Sequence, residues 1–255
     1  MVIVLDSYHM ARETDDRSTT KGYPHMRYGD VWIIVPTYNE ASVVRSVLEQ
    51  LLTRFPNVVA VDDCSTDSSA AEIRASGARI VRHPINMGAG GALQTGIDFA
   101  LLDDDARYFV TFDADGQHRV EDAVAMIDHM RDSSVDVLLG SRFLGDAVNM
   151  GRTRRLLLIA ARWFERLSTG LTLTDAHNGL RVFNRRFAEA LNLRMTDMAW
   201  ATEFLTRAVE IKAVVEEFPV TIEYSDYSLS KGQHSINSIN IGIDILLNRF
   251  LRGPH

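Results

Sequence analysis

The chain has 255 residues, of which 46% are apolar and 24% are charged, and its formal net charge is -7. This composition is that of a globular protein with one large α/β domain or two small ones. The acidic balance argues against a nucleic-acid partner, because a nucleic-acid-binding domain normally carries a basic face that neutralises phosphates. The single cysteine, Cys64, excludes an intrachain disulfide and a cysteine-rich zinc site.

The amino-terminal region gives no sign of a membrane-spanning segment or a signal peptide. No run in the sequence reaches the roughly 18 apolar residues that a spanning helix needs, and the apolar opening Met1–Leu5 is followed at once by acidic and polar residues. We therefore expect a cytoplasmic protein. Residues 1–30 are largely polar and aperiodic, which predicts a flexible N-terminal tail or an arm that docks elsewhere.

Short apolar runs alternate with helical patterns through the first half of the chain. The predicted strands are Val31–Val35, Val58–Val61, Arg79–Arg82, Tyr108–Phe112 and Val135–Leu139. Amphipathic helices are predicted between them. This alternation is typical of βαβ units and predicts an α/β fold with a mainly parallel sheet flanked by helices.

Acidic side chains follow three of the predicted strands at the point where each strand ends. They are Glu40 after the first strand, Asp62, Asp63 and Asp67 after the second, and Asp113 and Asp115 after the fourth. One such turn could equally be a solvated helix cap, but coincidence explains three of them poorly. In an open α/β sheet, ligands bind at the carboxyl ends of the strands. Oxygen ligands of this kind suit a hard divalent cation, and such a cation suits a substrate with phosphates.

A glycine-rich turn, Asn86–Ala92, follows the third strand. Its spacing is not G-x-G-x-x-G, because Leu93 stands where the last glycine belongs, and the chain contains no G-x-x-x-x-G-K-[ST]. The sequence therefore supports neither a Rossmann dinucleotide site nor a P-loop. The glycines can serve either a close approach of the backbone to a ligand or tight packing of a helix on the sheet.

Two amphipathic helices are predicted in the second half of the chain, one from the basic segment Arg152–Arg155 to about Ser168 and one over Ile236–Leu251. Each must cover its apolar face, and docking on the sheet, on another subunit or on an anionic membrane would all do so. We expect a homo-oligomer and keep a peripheral membrane contact as the alternative. Between these helices, a strand over Val214–Ile222 is predicted at a sheet edge because it contains Pro219.

Five of these motifs occur in the order found in family 2 glycosyltransferases. They are Val35–Glu40, Val61–Asp67, Asn86–Ala92, Asp113–His118 and Gly140–Arg142. The chain from about Val31 to Val220 resembles the catalytic domain of the dolichyl- or polyprenyl-phosphate sugar synthases within that family. The resemblance implies a GT-A fold, which we assign to residues 31–235, and the amphipathic helix predicted above from its apolar spacing lies within residues 236–255. It also implies inverting hexosyl transfer from a nucleoside diphosphate sugar.

The resemblance implies roles for individual residues. Those implied at the nucleotide are Pro36, Tyr38, Glu40, Asp62, Asp63, Asp67, Asn86, Gly90, Asp113, Ala114 and Asp115. Those implied at Mg²⁺ or Mn²⁺ are Asp113, Asp115 and Gln117. Those implied at the acceptor or a phosphate are Arg142, Asp175, Asn178, Arg181 and Lys231. Asn178 and Leu180 depart from the serine and phenylalanine of the synthases, which bears on the identity of the acceptor.

The catalytic residues implied are Asp115, Arg142 and Glu203. An acceptor phosphate is already anionic and needs no general base, whereas a sugar hydroxyl does. Glu203 matches an acidic position of the family and is the candidate base, although a surface or helix-capping glutamate would fit the same pattern.

Three functions follow from these alternatives. The first is transfer to a polyprenyl-phosphate or other lipid-linked acceptor at the inner face of the membrane. The second is transfer to a sugar hydroxyl in polysaccharide or glycolipid assembly, with Glu203 or Asp197 as base. The third is a sugar-nucleotide-binding assembly protein without catalysis, which retention of the three implied metal ligands argues against.

Overall fold

The computed structural model describes residues 27–148, 166, 169–195 and 199–224, and every structural statement below refers to these residues. Several predicted features lie outside them. These are the tail up to residue 26, nearly all of the helix predicted up to Ser168, Asp197, Lys231 and the helix predicted over Ile236–Leu251.

Seven strands form one sheet, and six helices accompany it in the described residues. The strands are β1 Val31–Thr37, β2 Asn57–Asp62, β3 Arg79–Arg82, β4 Tyr108–Thr111, β5 Val137–Val148, β6 Arg181–Asn184 and β7 Val215–Glu223. The helices are α1 Val44–Leu52, α2 Ser69–Ser76, α3 Gly88–Ala100, α4 Val120–Arg131, α5 Arg185–Ala190 and α6 Ala199–Glu210. None of the helices in the described ranges is both long and apolar enough to cross a bilayer.

The strand order is β3-β2-β1-β4-β6-β5-β7, and β6 alone among these strands runs antiparallel to its neighbours. The predicted α/β fold with a mainly parallel sheet is therefore confirmed. The carboxyl ends of β1, β2, β3 and β4 meet at one edge, which we call the carboxyl edge.

β1 is buried on both faces, as its unbroken apolar run predicts. Val31, Ile33 and Val35 pack in a cluster with α1 and α4, and the alternate residues Trp32 and Ile34 pack in a second cluster with α3 and α6. Because side chains alternate along a strand, one apolar segment holds both layers of helices. This central position fixes where the carboxyl edge lies.

β5 is longer than its apolar run predicts. It continues through Ser141 and Arg142 to Val148, and its last six residues alternate between half-buried and exposed. The extension exists because β7 pairs with it, with a shift in register between Ser141 and Asp146. β7 lies at the edge of the sheet, as Pro219 predicts.

The last residues of the predicted tail belong to the folded domain. Tyr28 is only 2% exposed, its ring centroid lies 5.3 Å from that of Phe55, and its hydroxyl donates to Asp128 at 3.2 Å. Arg131 forms an ion pair with Asp30. Although this stretch is mostly polar, the burial of the Tyr28 ring attaches it to the domain.

Candidate active site

The acidic turn after β4 carries two neighbouring carboxylates. Asp113 Oδ2 lies 2.9 Å from Nε2 of the buried His118, and Gln117 donates to Asp115 from its backbone N–H at 3.1 Å and from its side-chain amide at 2.5 Å. Gly116 turns the chain with a φ of 75°, a conformation that favours glycine. Gln117 and His118, within the same turn, therefore supply hydrogen bonds to both carboxylates.

The environment of Asp115 disfavours its charge. Burial and the negative charges of Asp113 and Glu40 raise the pKa of Asp115 to about 6, although His118 and the Gln117 N–H act in the opposite direction. Glu40 lies in the loop after β1, so acids that follow two different strands act on the charge of Asp115. At neutral pH such a group is ionised at a cost that a bound cation would relieve.

Asp113 behaves differently although it lies two residues away. Burial opposes its ionisation, but the hydrogen bond from His118 and the charges of His118, Arg142 and Arg181 hold its pKa below the ordinary value. The arginines therefore belong to the same electrostatic site as the acidic turn. The site combines an anionic half and a cationic half.

The two carboxylates fit a divalent cation that also binds substrate. Within the described residues, no group of three or more His, Cys, Asp or Glu side chains is arranged to hold a metal alone. Mg²⁺ typically uses one or two carboxylates and completes its shell with waters and substrate phosphates. Gln117 directs its amide nitrogen at Asp115, so it would contribute an oxygen only after that amide turned over.

Arg142 is buried in the extended part of β5 and is held on two sides. Its Nε lies 2.5 Å from Asp175 Oδ2, and its Nη1 donates to the Tyr224 hydroxyl at 2.7 Å. Asp175 in turn accepts the backbone N–H of Arg142 and donates its own N–H to Glu217 at 2.8 Å. This network positions the guanidinium near Asp113, where its charge acts.

The loop before β6 lies against the acidic turn. Arg181 is 1% exposed, donates to the carbonyl oxygens of Asn178 and Ala176 at 3.2 and 3.1 Å, and stacks 4.4 Å from the centroid of Trp200. Asn178 accepts the Leu180 N–H at 3.0 Å. Arg181 and Asn178 therefore stabilise the conformation of this loop through hydrogen bonds to its backbone.

Gly179 explains why the loop can approach the acidic turn so closely. A Cβ at this position would overlap the Asp113 carboxylate, and the Gly179 carbonyl accepts the Thr111 hydroxyl at 2.6 Å. His177, on the same loop, is missed by the sequence reasoning. Burial and the charge of Arg181 lower its pKa to about 4, so its imidazole is neutral at pH 7.

Three acids predicted at the nucleotide fasten loops at the carboxyl edge. Asp62 is buried, accepts the Ser65 N–H at 3.1 Å and pairs with Arg82 at 2.8 Å. Asp67 accepts the N–H groups of Ala41 and Ser69 at 3.2 and 2.9 Å. The third acid, Asp63, accepts the backbone N–H groups that open α3. These bonds hold the β1 and β2 loops together beside the acidic turn.

The other predicted nucleotide residues fall into two groups. Tyr38 is 47% exposed at the end of β1, and Asn86 is exposed and accepts the Gly88 N–H at 3.1 Å. Pro36 lies within β1 opposite Val61, and Ala114 is buried in the core. Gly90 is buried as well, and a Cβ there would overlap the Met195 carbonyl and the Trp200 side chain, so packing alone accounts for this glycine.

Glu203 lies on α6 and is bonded to backbone. Its Oε2 accepts the N–H groups of Arg194 and Met195 at 2.8 and 2.9 Å. It lines a cavity of about 590 Å³ between this segment and α6. The remaining lining residues are Asn192, Arg194, Met195, Thr202, Thr206, Arg207 and Glu210. Glu203 therefore stays a candidate base that already has a structural function.

Residues 32–191 match the protein family described as Glycosyl transferase family 2. The chain is 27% identical over 239 residues to the UDP-N-acetylglucosamine--dolichyl-phosphate N-acetylglucosaminyltransferase of Methanococcus voltae, which covers 85% of this chain and 95% of that protein. It is 27% identical over 213 residues to the undecaprenyl-phosphate mannosyltransferase of Micrococcus luteus, covering 79% and 86% of the two chains.

Solved structures agree in fold. Glucosyl-3-phosphoglycerate synthase from Mycobacterium tuberculosis, in complex with Mn²⁺, uridine diphosphate and glucosyl-3-phosphoglycerate, superposes with a TM-score of 0.64 at 14% identity, covering 89% of this chain and 84% of that chain. At this identity the likeness concerns the fold alone. The family match spans β1 to α5 and includes the acidic turn, Arg142 and the loop before β6. The chain belongs to glycosyltransferase family 2 and is a glycosyltransferase with the GT-A fold.

Proposed function

We propose that this enzyme is an inverting, metal-dependent glycosyltransferase that moves a sugar from a nucleoside diphosphate donor to a polyprenyl-phosphate or other lipid-linked acceptor. The observation that carries the proposal is the acidic turn with its two carboxylates, set against Arg142 at the carboxyl edge. An anionic diphosphate needs positive charge as it leaves, and a cation with an arginine supplies that stabilisation in a closed site.

Asp113 and Asp115 are the residues proposed to hold Mg²⁺ or Mn²⁺. When bound there, the ion would neutralise charge that develops on the leaving diphosphate. His118 keeps the Asp113 carboxylate in place through the 2.9 Å bond, and Glu40 adds negative charge to the same field. The mycobacterial synthase with Mn²⁺ and uridine diphosphate supports this choice of ion and ligand by its shared fold.

Arg142 is proposed to meet the phosphate side of the donor. Asp175 and Tyr224 fix its guanidinium from two directions, which limits the reorganisation needed when charge develops nearby. Lys231, outside the described residues, is proposed to contact phosphate as well. We propose contacts with the nucleotide for the remaining residues of the carboxyl edge apart from Asp63, among them the exposed Tyr38.

A phosphate acceptor is favoured because its nucleophilic oxygen is already anionic. Both relatives named above carry a polyprenyl-type phosphate acceptor in their names. Glu203, whose carboxylate accepts two backbone N–H groups, is then not required as a base. The alternative is transfer to a sugar hydroxyl with Glu203 as base, and the cavity beside that carboxylate is the observation that favours it.

Two measurements test the main proposal. Uridine and guanosine diphosphates are screened with and without Mn²⁺ for a rise in melting temperature, since a ligand that binds only the folded state stabilises it. Radiolabelled sugar transfer from the matching donor to undecaprenyl phosphate in detergent is then measured. We expect metal-dependent stabilisation and transfer. Full transfer in EDTA, or transfer unaffected by Asp113→Asn and Asp115→Asn, would contradict the proposal.

The acceptor class is tested with Glu203→Gln. Transfer to a phosphate acceptor should retain its rate, whereas transfer to a hydroxyl should fall by about 100-fold or more because the base is lost. Glu189→Gln, on the exposed side of α5, is the matched control because it also neutralises a surface glutamate. Transfer to a sugar hydroxyl that is lost with Glu203→Gln and kept with Glu189→Gln, at an unchanged melting temperature, would favour the hydroxyl mechanism.

We further propose that the enzyme works at the inner face of the cell membrane as a peripheral homo-oligomer. The support is the lipid-linked acceptor together with the two amphipathic segments of the sequence, which fall outside the described residues apart from Arg166. Flotation with anionic vesicles and light scattering of the purified chain test the two parts separately. A monomer that remains in the soluble fraction would reject both.

A further inference from the structure

Three polar side chains form a chain of hydrogen bonds behind the glycine-rich turn. Asp63, just past β2, is 3% exposed, and His83, just past β3, is 6% exposed. Asp63 Oδ1 lies 2.7 Å from His83 Nδ1, and His83 Nε2 lies 2.9 Å from the hydroxyl of Thr95 on α3. We call this group the Asp63–His83–Thr95 relay.

Asp63 supplies the cap that α3 lacks. The residue before the helix, Met87, makes no capping bond with its own side chain. Instead Asp63 Oδ1 accepts the Met87 N–H and Oδ2 accepts the Gly88 N–H, each at 2.8 Å. An acidic acceptor at a helix N-terminus satisfies N–H groups that have no partner within the helix and interacts favourably with its dipole. The start of α3 is thus fixed to the end of β2.

His83 fixes the same helix from a second point. Its backbone N–H donates to Asp62 O at 2.9 Å, which anchors the imidazole to the sheet, and one ring nitrogen faces Asp63 while the other faces Thr95. Thr95 lies two turns into α3. Because the helix is held at its first turn and at Thr95, it cannot shift along its axis or rotate without breaking the relay.

We propose that the Asp63–His83–Thr95 relay is a positioning device that sets the glycine-rich turn at the start of α3 against the sugar-nucleotide donor. His83 and Thr95 are positioning residues in this proposal, acting through Asp63. The inference rests on the proposed function, because it requires the carboxyl edge to be the donor site. It differs from the expectation that Asp63 contacts the nucleotide itself, since three donors already surround its buried carboxylate.

Thr95 offers the sharper test because it can be changed without altering its volume. Thr95→Val keeps the branched shape and removes the hydroxyl, while Thr95→Ser keeps the hydroxyl. Thr53→Val is the matched control, because that hydroxyl caps the end of α1 through Gln50 O, away from the carboxyl edge. His83→Gln probes the centre of the relay. For each variant, the melting temperature, the KM for donor, the KM for acceptor and kcat are measured with saturating Mn²⁺.

We expect Thr95→Val to raise the KM for donor about 5- to 10-fold, the order of one lost hydrogen bond, with kcat and the KM for acceptor within twofold. Thr95→Ser should restore the wild-type KM, Thr53→Val should leave it unchanged, and His83→Gln should exceed the effect of Thr95→Val.

Other outcomes separate the two levels of the argument. If wild-type protein binds none of the common nucleoside diphosphates, uridine and guanosine diphosphate included, the proposed function fails and the relay has no donor to position. If the wild type binds one of them and Thr95→Val binds it equally well, only the relay is rejected. A lower melting temperature without any change in the KM for donor would show that the relay serves stability alone, which also rejects it.

Discussion

Two carboxylates at opposite ends of the same sheet, the half-buried Asp115 and the buried Asp136, show how differently one residue type can be used. Asp115 lies at the carboxyl edge and receives the hydrogen bonds described above from Gln117 in its own turn. Asp136 lies at the amino end of β5, is 8% exposed, and accepts hydrogen bonds from Val214 N–H at 2.9 Å, Asn184 at 2.8 Å and Arg186 at 2.9 Å. One carboxylate borders other acids, and the other is surrounded by donors.

The pKa values of the two groups move in opposite directions. Burial and the charges of Asp113 and Glu40 raise the pKa of Asp115 to about 6. Burial acts the same way on Asp136, but the Val214 N–H, Asn184 and Arg186 outweigh it and hold its pKa below the ordinary value. The charge of Asp136 is stabilised by hydrogen-bond donors of the protein itself. The charge of Asp115 is unfavourable in the protein alone, and a bound ligand can offset it.

The largest expected effect is on activity at the acidic turn. Asp115→Asn should lower kcat/KM by about 100- to 1000-fold, the range found when a group that stabilises transition-state charge is removed. It should also raise the free energy of unfolding at pH 7.5 by on the order of 1 kcal/mol, because an unfavourable charge disappears. Activity assays and urea unfolding of the metal-free protein measure the two effects. A variant that is destabilised but active would contradict this prediction, because it would show that Asp115 serves stability rather than catalysis.

Asp136→Asn should have the opposite profile. Replacing the ionised acceptor weakens three hydrogen bonds, of which the one from Arg186 is also an ion pair, so we expect a loss of about 2 kcal/mol of stability. Activity per folded molecule should stay within about twofold of wild type at room temperature. Urea unfolding with active-site titration checks both. A large fall in kcat with unchanged stability would show that the amino end of β5 takes part in catalysis.

Gly179→Ala tests how closely the loop before β6 controls the acidic turn. The added Cβ would displace the Asp113 carboxylate and disturb its bond from His118, so the apparent affinity for Mn²⁺ should fall about 10-fold. Stability should change little because only the end of one side chain has to move. Activity titrated against Mn²⁺ measures the effect. Gly77→Ala, at a helix end away from the site, is the control for a glycine replacement, although its φ of 86° makes it the less stable variant.

The smallest effect is a pH dependence of opposite sign for the two acids. The folded-state pKa of Asp115, about 6, lies above its unfolded value, so its contribution to stability is fully present below about pH 4 and is lost as the pH rises through 6. The pKa of Asp136 is lowered, so its contribution is present above about pH 4 and is lost as the pH falls further. Urea unfolding in EDTA over a series of pH values is measured for the wild type, Asp115→Asn and Asp136→Asn. The difference in free energy of unfolding between the wild type and each variant should change by on the order of 1 kcal/mol per pH unit within these windows. Equal slopes for the two acids would contradict our assignment.

The sequence by itself determined the sheet and the place of its acids. Unbroken apolar runs such as Val31–Val35 specify buried strands, and the residues after them specify turns, so the carboxyl edge and the acidic turn at Asp113 and Asp115 could be predicted. These features depend on neighbours along the chain. Periodicity and turn chemistry are local, and local patterns can be read from a sequence.

Only the tertiary structure decided what each polar group does. Arg142 meets Tyr224 across 82 positions, Asp63 caps a helix 25 positions away, and β5 extends to Val148 because β7 pairs with it. The opposite pKa shifts of Asp115 and Asp136 depend on which groups the fold brings within a few ångströms. Burial and electrostatic interactions depend on which groups are close in three dimensions. A sequence pattern can therefore identify the acids, but it does not determine their charge or their partners.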